Sequence, residues 1–426
     1  MRPAINKALF VIVALILSGA LWRTLSSGGG NVLDGDPRTE TALAAIYLMV
    51  GVLAAIRLRE TLKSLWRNPA LAALLLLACI SPLWAESPDV VLRRAVALVG
   101  TSLFGITLAT RYSFEEQLRI YRWALRLGAT ATIALLVVSP GRALSAADGG
   151  GGIRGVFPHK NILGTAMAMG FLVDWYLREA QGWKKTLRLV SLCIYTVLLA
   201  ASNSMAAIVT VIAAMIAVWA FQVLCRRHGV PALALSLFLA VGVGAVTVAG
   251  IAPGDFISLL GRSSDLTGRT ELWSAVSDAI HERPWLGYGF SGFWKGASSL
   301  SENVQLRIGW SPTYSHNGYL EIALSLGLVG LFFAVCMLAT GFRRAWRQAG
   351  ESDSSLDGWP LAFLLFVVIH NLAECSIAWQ NCLEWSVCVA AVIRCDQRFS
   401  PALVDDREEA EEPLEESLSS VEAEYV

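Results

Sequence analysis

Four stretches of this chain hold residues whose types and spacing could do chemistry. The first is Gly149-Gly150-Gly151-Gly152-Ile153-Arg154-Gly155-Val156-Phe157-Pro158-His159-Lys160-Asn161. Its glycines let backbone approach a ligand closely. Arg154, His159 and Lys160 stand at or near the start of a helix that begins after Pro158, where the helix dipole favours anions. A plain reading competes: a flexible loop, an Asn161 cap, and basic residues reaching for lipid phosphates. The second stretch, Thr267 to Ile280, reads as an amphipathic helix with Leu272, Trp273, Val276, Ala279 and Ile280 on one face, ended by Pro284. Arg269 sits in its first turn, the wrong end for a cation unless it faces an anion outside the helix. After it, Trp285 and Tyr288 open an aromatic, glycine-rich run that suits stacking on sugar faces and suits an interfacial aromatic belt equally well.

The third stretch, Ser311 to Glu321, contains His316, with Asn317 as a plausible N-cap and Glu321 in the first turn that follows. The fourth is His370, Asn371 and Glu374. His370 and Glu374 are four apart, hence on one face of a predicted helix. Ionisable groups at such a depth face a functional cavity or a partner, or else lock helix packing. Together the first three stretches offer guanidinium groups for an anion beside one imidazole that could accept a proton.

The elements that must position these groups are membrane helices. The chain has 426 residues, 55% hydrophobic and only 16% charged, with mean hydropathy +0.54. Soluble domains carry about 25% charged residues. Lys+Arg and Asp+Glu both number 34, so there is no basic excess to neutralise nucleic-acid phosphates. This composition excludes a soluble enzyme, a disordered chain and a disulfide-stapled secreted domain. About 20 apolar residues cross a bilayer as a helix. Such segments run over about 8–25, 40–56, 69–85, 91–110, 123–139, 161–177, 187–202, 204–225, 231–252, 317–341, 359–378 and 380–395. Tight hairpins are expected at Ser202-Asn203-Ser204 and Trp379-Gln380-Asn381.

The predicted fold is therefore all-α: a polytopic membrane protein of about 12 transmembrane helices with one large periplasmic loop containing short helices. The predicted divisions are 1–252 (nine helices), the loop 253–316, 317–395 (three helices) and an acidic, disordered cytoplasmic tail, 396–426. Placing the N-terminus inside puts 22 of the 34 Lys and Arg on the cytoplasmic side. Of the 12 others, five lie in the long loop, which the charge rule does not count. Both termini are thus expected in the cytoplasm, and the four stretches at the outer face. The first apolar run lacks a cleavage site and reads as a signal anchor. None of the eight cysteines lies in the outer loop, so neither a disulfide framework nor a zinc site is expected.

Arg154-Gly155-Val156-Phe157-Pro158-His159-Lys160-Asn161, Gly268-Arg269-Thr270-Glu271-Leu272-Trp273 with Pro284 to Gly289, and Ser315-His316-Asn317-Gly318-Tyr319-Leu320-Glu321 together resemble the O-antigen ligase and Wzy-type polysaccharide polymerase superfamily. The chain looks most like its exopolysaccharide polymerisation (ExoQ-like) branch, over roughly 90–395. The resemblance implies a GT-C-like glycosyltransferase of the bacterial inner membrane, inverting, with neither metal nor cofactor. Its donor would be an undecaprenyl-diphosphate-linked oligosaccharide at the periplasmic face. It maps the catalytic roles onto Arg154, Arg269 and His316. His159, Lys160, Asn161, Asn317, Glu321, Trp285, Tyr288, His370 and Glu374 are candidates for substrate binding. Guanidiniums remain charged and bind phosphate oxygens bidentately, and an imidazole can take a hydroxyl proton near neutral pH. Polymerisation of lipid-linked repeat units and ligation of a finished glycan to a lipid A core or another acceptor share this chemistry. A transporter is the third reading, disfavoured because the polar residues cluster at the surface and not on broken helices at midplane. Expected partners are the lipid-linked donor and acceptor and the bilayer, with a chain-length regulator and export proteins beside them.

Overall fold

A computed structural model describes residues 3–20, 37–145, 151–178, 181–220, 267–295, 299–351 and 354–396. The predicted span 231–252, the loop start 253–266, Gly149, Gly150 and all of the predicted tail except Asp396 lie outside the described residues. Within them the fold is all-α, and the one β feature is an isolated bridge between Leu144 and Ile153. The helices are α1 (Pro3–Leu17), α2 (Pro37–Ile56), α3 (Leu58–Trp66), α4 (Pro69–Ile80), α5 (Pro88–Arg111), α6 (Phe114–Val138), α7 (Lys160–Tyr176), α8 (Gly182–Ser202), α9 (Met205–Ala220), α10 (Thr267–Glu282), α11 (Ser299–Ile308), α12 (Gly318–Glu351), α13 (Trp359–His370) and α14 (Leu383–Arg394). Every predicted segment outside 221–266 overlaps one of these helices.

Among the described residues five helices are long and apolar enough to cross a membrane, or six if the bent pair Leu58–Trp66 and Pro69–Trp84 counts as one. Lys7–Leu17, Met205–Trp219 and Leu356–His370 are shorter apolar helices. The chain is thus a membrane protein by length and composition of its helices. Apolar side chains, including Phe104, Leu163, Phe363, Trp359 and Trp385, fill one core between them. α7 packs on α8 and α6, α5 on α14 and α2, and α12 on α4 and α14.

Local chemistry sets several ends. Ser113 and Glu116 form a reciprocal capping box at the start of α6. Asn203, in the left-handed region at φ 58°, makes the tight turn between α8 and α9, as expected. The second expected hairpin is different. α13 stops at His370, and residues 371–382 connect it to α14 without a helix. The cause is Asn371, which is fully buried and turns its side chain onto the chain ahead. Its Oδ1 accepts from Ser376 N (2.8 Å) and Ile377 N (3.0 Å), and its Nδ2 donates to Val367 O (2.7 Å) and Ser376 Oγ (2.7 Å). Such side-chain-to-backbone bonds offer the chain an alternative to helix.

α12 is broken at Gly327 (φ 67°, ψ −171°). The amides freed there are taken over by another segment: Leu328 N donates to Pro284 O (2.7 Å) and Val329 N to Trp285 O (3.3 Å), while Tyr288 N donates back to Leu324 O (3.0 Å). Only a residue without a Cβ leaves room, since Trp285 backbone lies against Gly327.

Candidate active site

α7, α10, α12 and α13 bring their ends together at one end of the bundle, and the meeting point is the carboxylate of Glu374. Asn161, on the first turn of α7, donates its Nδ2 to Glu374 Oε1 (2.6 Å). Arg269, on the first turn of α10, donates Nη1 to Ala373 O (3.1 Å) and holds Nη2 3.5 Å from Glu374 Oε1. Tyr314 donates its hydroxyl to Glu374 Oε2 (3.0 Å), and His316 Nδ1 lies 3.6 Å from that oxygen. Burial drives a carboxyl upward, but His316, Arg269 and His370 outweigh it and hold Glu374 well below the usual carboxylate range. Burial and the Glu374 charge push the Tyr314 phenol well above 10.0, so it stays a donor.

His316 is placed by an unusual backbone. It sits in the left-handed region at φ 50°, which costs a non-glycine residue of order 1–3 kcal/mol and has to be imposed by its surroundings. Both neighbours impose it. Ser315 N donates to Glu321 Oε2 (2.8 Å), Ser315 O accepts from Trp273 Nε1 (2.9 Å), and Ser315 Oγ donates to Asn317 O (2.9 Å). Asn317 caps α12, its Oδ1 accepting from Tyr319 N (3.0 Å) and Leu320 N (3.1 Å), as predicted. Gly318 N then donates to Asn371 O (2.8 Å) and Glu374 O (3.0 Å), clamping the turn that carries Glu374 against the turn that carries His316. The His316 ring lies 4.1 Å from Tyr314, tilted 42° to it, and 6.1 Å from Trp310.

The arrangement resembles a base and its orienting acid. With Nδ1 turned to Glu374, the Nε2 nitrogen is the one left for a substrate hydroxyl, and the carboxylate stabilises the imidazolium that proton acceptance creates. The guanidinium of Arg269 carries five N–H groups, of which the contacts above use Nη1 and Nη2.

The remaining candidates lie as follows. His159, and not Asn161, caps α7: its Nδ1 accepts from Asn161 N (3.2 Å), which frees the Asn161 amide for Glu374. Lys160 Nζ donates to Gly151 O (3.2 Å). Arg154 is fixed through its own amide on Ala143 O (2.9 Å), and its Nε is buried without a hydrogen-bond partner. Glu321 is buried and occupied by Ser315 and by Trp294 Nε1 (3.1 and 3.2 Å), so it shapes the His316 turn from behind. Tyr288 is buried in a small second core with Leu272, Val276, Phe293 and Leu324, and donates its hydroxyl to Ala279 O (2.9 Å). Trp285 is 68% exposed beside the break in α12. The predicted apolar face of α10 is what builds that core, with Trp273 and Ile280 at its edge.

α13 ends at Asn371, and although Glu374 N still donates to His370 O (2.9 Å), the two side chains take different partners. His370 Nδ1 instead faces Glu384 Oε1 (3.1 Å), and its Nε2 faces Thr165 Oγ1 (3.1 Å). Thr165 donates its one proton to Asn161 O (3.0 Å), so the His370 Nε2 carries the hydrogen between them. Ser376 Oγ completes the pair by donating to Glu384 Oε1 (2.8 Å). Sequence reasoning missed Thr165, Trp273, Tyr314 and Glu384. The Ser311–Glu321 stretch signalled Tyr314 and the Gly268–Trp273 motif signalled Trp273, while nothing local signalled Thr165 or Glu384. Among the described residues no three His, Cys, Asp or Glu side chains converge as metal ligands do.

Comparison with known proteins agrees with the resemblance seen in the motifs. Residues 189–335 match the family described as O-antigen ligase. Exopolysaccharide production protein ExoQ of Rhizobium meliloti (strain 1021) is 25% identical over 328 residues, covering 71% of this chain and 71% of that protein.

Proposed function

From a chain similar to the O-antigen ligase and ExoQ-like family, we propose a membrane glycosyltransferase that polymerises undecaprenyl-diphosphate-linked oligosaccharide repeat units into exopolysaccharide. The reaction takes place at the periplasmic face of the bacterial inner membrane, with both termini in the cytoplasm. One observation carries the reading: Asn161, Arg269, Tyr314 and His316, from three separate segments, meet on the single buried carboxylate of Glu374.

Each step needs one of these groups. Outside the cytoplasm no nucleotide sugar is at hand, so the driving force is a preactivated lipid diphosphate. The acceptor hydroxyl gives its proton to His316 Nε2 as its oxygen attacks the anomeric carbon. The bond from that carbon to the diphosphate oxygen breaks, the anomeric configuration inverts, and undecaprenyl diphosphate leaves with its negative charge. Arg269 and Arg154 meet that charge in place of a metal ion. A guanidinium–phosphate pair at 4 Å with an effective dielectric near 20 is worth about 4 kcal/mol, of which only the part that grows toward the transition state accelerates transfer.

Transfer of a finished glycan to a lipid A core or another acceptor is the second reading, favoured by the description of the matching family. The deciding experiment is analysis of lipid-linked glycans in a deletion strain. Single undecaprenyl-linked repeat units accumulate if the chain polymerises, and long polymer remains on undecaprenyl diphosphate if it ligates. Wild-type glycan patterns in that strain refute both. Transport is disfavoured because the convergent polar groups lie where helices begin and end.

A further inference from the structure

α3 is amphipathic the wrong way round for a helix packed in water. The side chains it buries are Thr61 and Ser64, followed by Asn68 just past its end. These satisfy themselves locally: Thr61 Oγ1 bonds Ala54 O (3.2 Å), Ser64 Oγ bonds Glu60 O (2.8 Å) and Asn68 Nδ2 bonds Ser64 O (2.8 Å). The side chains it exposes are Leu58 (54%), Leu62 (55%) and Trp66 (86%), at i, i+4 and i+8 on one stripe. A third face, between the apolar stripe and Glu60, presents exposed Arg59 and Lys63, with half-buried Arg67 at the C-cap. At 100° per residue the helix therefore has three sides: small polar groups toward the protein, apolar groups outward, and basic groups about a quarter-turn from the apolar ones.

Its direction and position complete the picture. α3 is bent 101° from the following segment Pro69–Trp84, nearly perpendicular to a helix that reads as a span. It lies at the end of the bundle opposite Glu374. The far end of Pro69–Trp84 touches the outer loop through Trp84 Nε1 and Leu286 O (3.1 Å), while Arg67 and Asn68, at the near end, bond Arg344 at the other end of α12.

We infer that α3 is an interfacial helix, seated in the headgroup boundary of the leaflet opposite the candidate active site. Leu58, Leu62 and Trp66 enter the acyl layer, and Arg59 and Lys63 contact anionic phospholipid headgroups. Exposed leucines beside a buried threonine and serine are stable only against an apolar medium. The basic side chains make that medium an anionic leaflet, since each near the surface is worth about a fivefold preference for it. This inference is independent of the reaction proposed above.

The test places a fluorophore on single cysteines in an otherwise cysteine-free full-length chain, in nanodiscs of phosphatidylcholine with or without phosphatidylglycerol. Probes at Leu62→Cys and Trp66→Cys should be quenched by doxyl-labelled lipid and shielded from aqueous iodide, and a probe at Glu60→Cys should show the reverse. Removing phosphatidylglycerol, or adding Arg59→Gln and Lys63→Gln, should lower the lipid-docked fraction, about fivefold in the docked ratio for each charge. Native mass spectrometry of the cysteine-containing chain provides a second measurement that needs no probe: Arg59→Gln with Lys63→Gln should retain fewer phosphatidylglycerol molecules. Iodide access to positions 62 and 66 in both disc types overturns the inference. So does shielding that vanishes with one chain per disc, which would make the occupant a second copy. Equal phosphatidylglycerol retention by the two chains refutes the anionic contact.

Discussion

Replacing Glu374 by glutamine tests the site most directly, because the change is nearly isosteric and removes one charge from the centre of four contacts. Tyr314 and Asn161 approach different oxygens, so a glutamine amide must present its NH2 to one of two donors. The charge also leaves the contacts with Arg269 and His316 at 3.5 and 3.6 Å. A hydrogen bond to a charged group contributes about 1.5–3 kcal/mol. Losing the charge assistance of the Asn161 and Tyr314 bonds at the lower end removes about 3 kcal/mol of orientation at this site, equivalent to roughly a hundredfold in turnover. The assay is the initial rate of undecaprenyl diphosphate release in proteoliposomes supplied with lipid-linked repeat units extracted from a deletion strain. Size-exclusion behaviour and thermal melting monitor folding in parallel. A folded Glu374→Gln chain that turns over at the wild-type rate refutes the role given to this carboxylate. The pH dependence has a definite sign. Glu374 is depressed in the folded state, so its stabilisation is present above the unfolded carboxylate range and is lost only as pH falls through the lower folded value. The melting difference between wild type and Glu374→Gln should be full at neutral pH and shrink in acid.

Arg269→Ala and Arg154→Ala should each abolish polymer while leaving membrane insertion intact, and His316→Ala should be as severe; polymer blots with insertion controls check all three. Thr165→Val should lower turnover about tenfold with donor KM unchanged, because Asn161 loses its anchor, and Thr165→Ser should restore the rate. Gly318→Ala drives a Cβ into Asn371 Oδ1 and should cost about 1–3 kcal/mol of stability, read as a lower melting temperature. EDTA should leave the rate of the purified chain unchanged, and strict dependence on added Mg²⁺ would contradict the arginine-based mechanism.

Most of the helices were legible because apolar runs of membrane length announce themselves, and Asn317 as a cap was legible because capping is a short-range affair. The pairing of His370 with Glu374 was not. Four-residue spacing says nothing of Glu384, which Asn371 brings against His370 by ending the helix through bonds to residues five and six ahead. Of the expected group of Arg154, Arg269 and His316, the last two reach one carboxylate, that of Glu374, which the sequence places on a helix. Tyr288, in a run that suits sugar stacking and an interfacial belt equally well, is made core by its neighbours in the fold. α3 falls between the apolar segments 40–56 and 69–85, since nine residues are too few to register as a span. What stays hidden in each case is a tertiary contact, which no local pattern encodes.

The splice at Gly327 ties the segment that follows α10 to the bundle through main chain. Leu328 and Val329 have carbonyl partners only while residues 284 and 285 are in place, so lifting that loop must strip two amides of their acceptors inside an apolar helix. The loop and the first nine residues of α12, which hold His316 from either side, are therefore compelled to travel together or not at all. Lifting the loop requires swivelling about residue 327, and deuterium uptake at those two amides would register each such excursion.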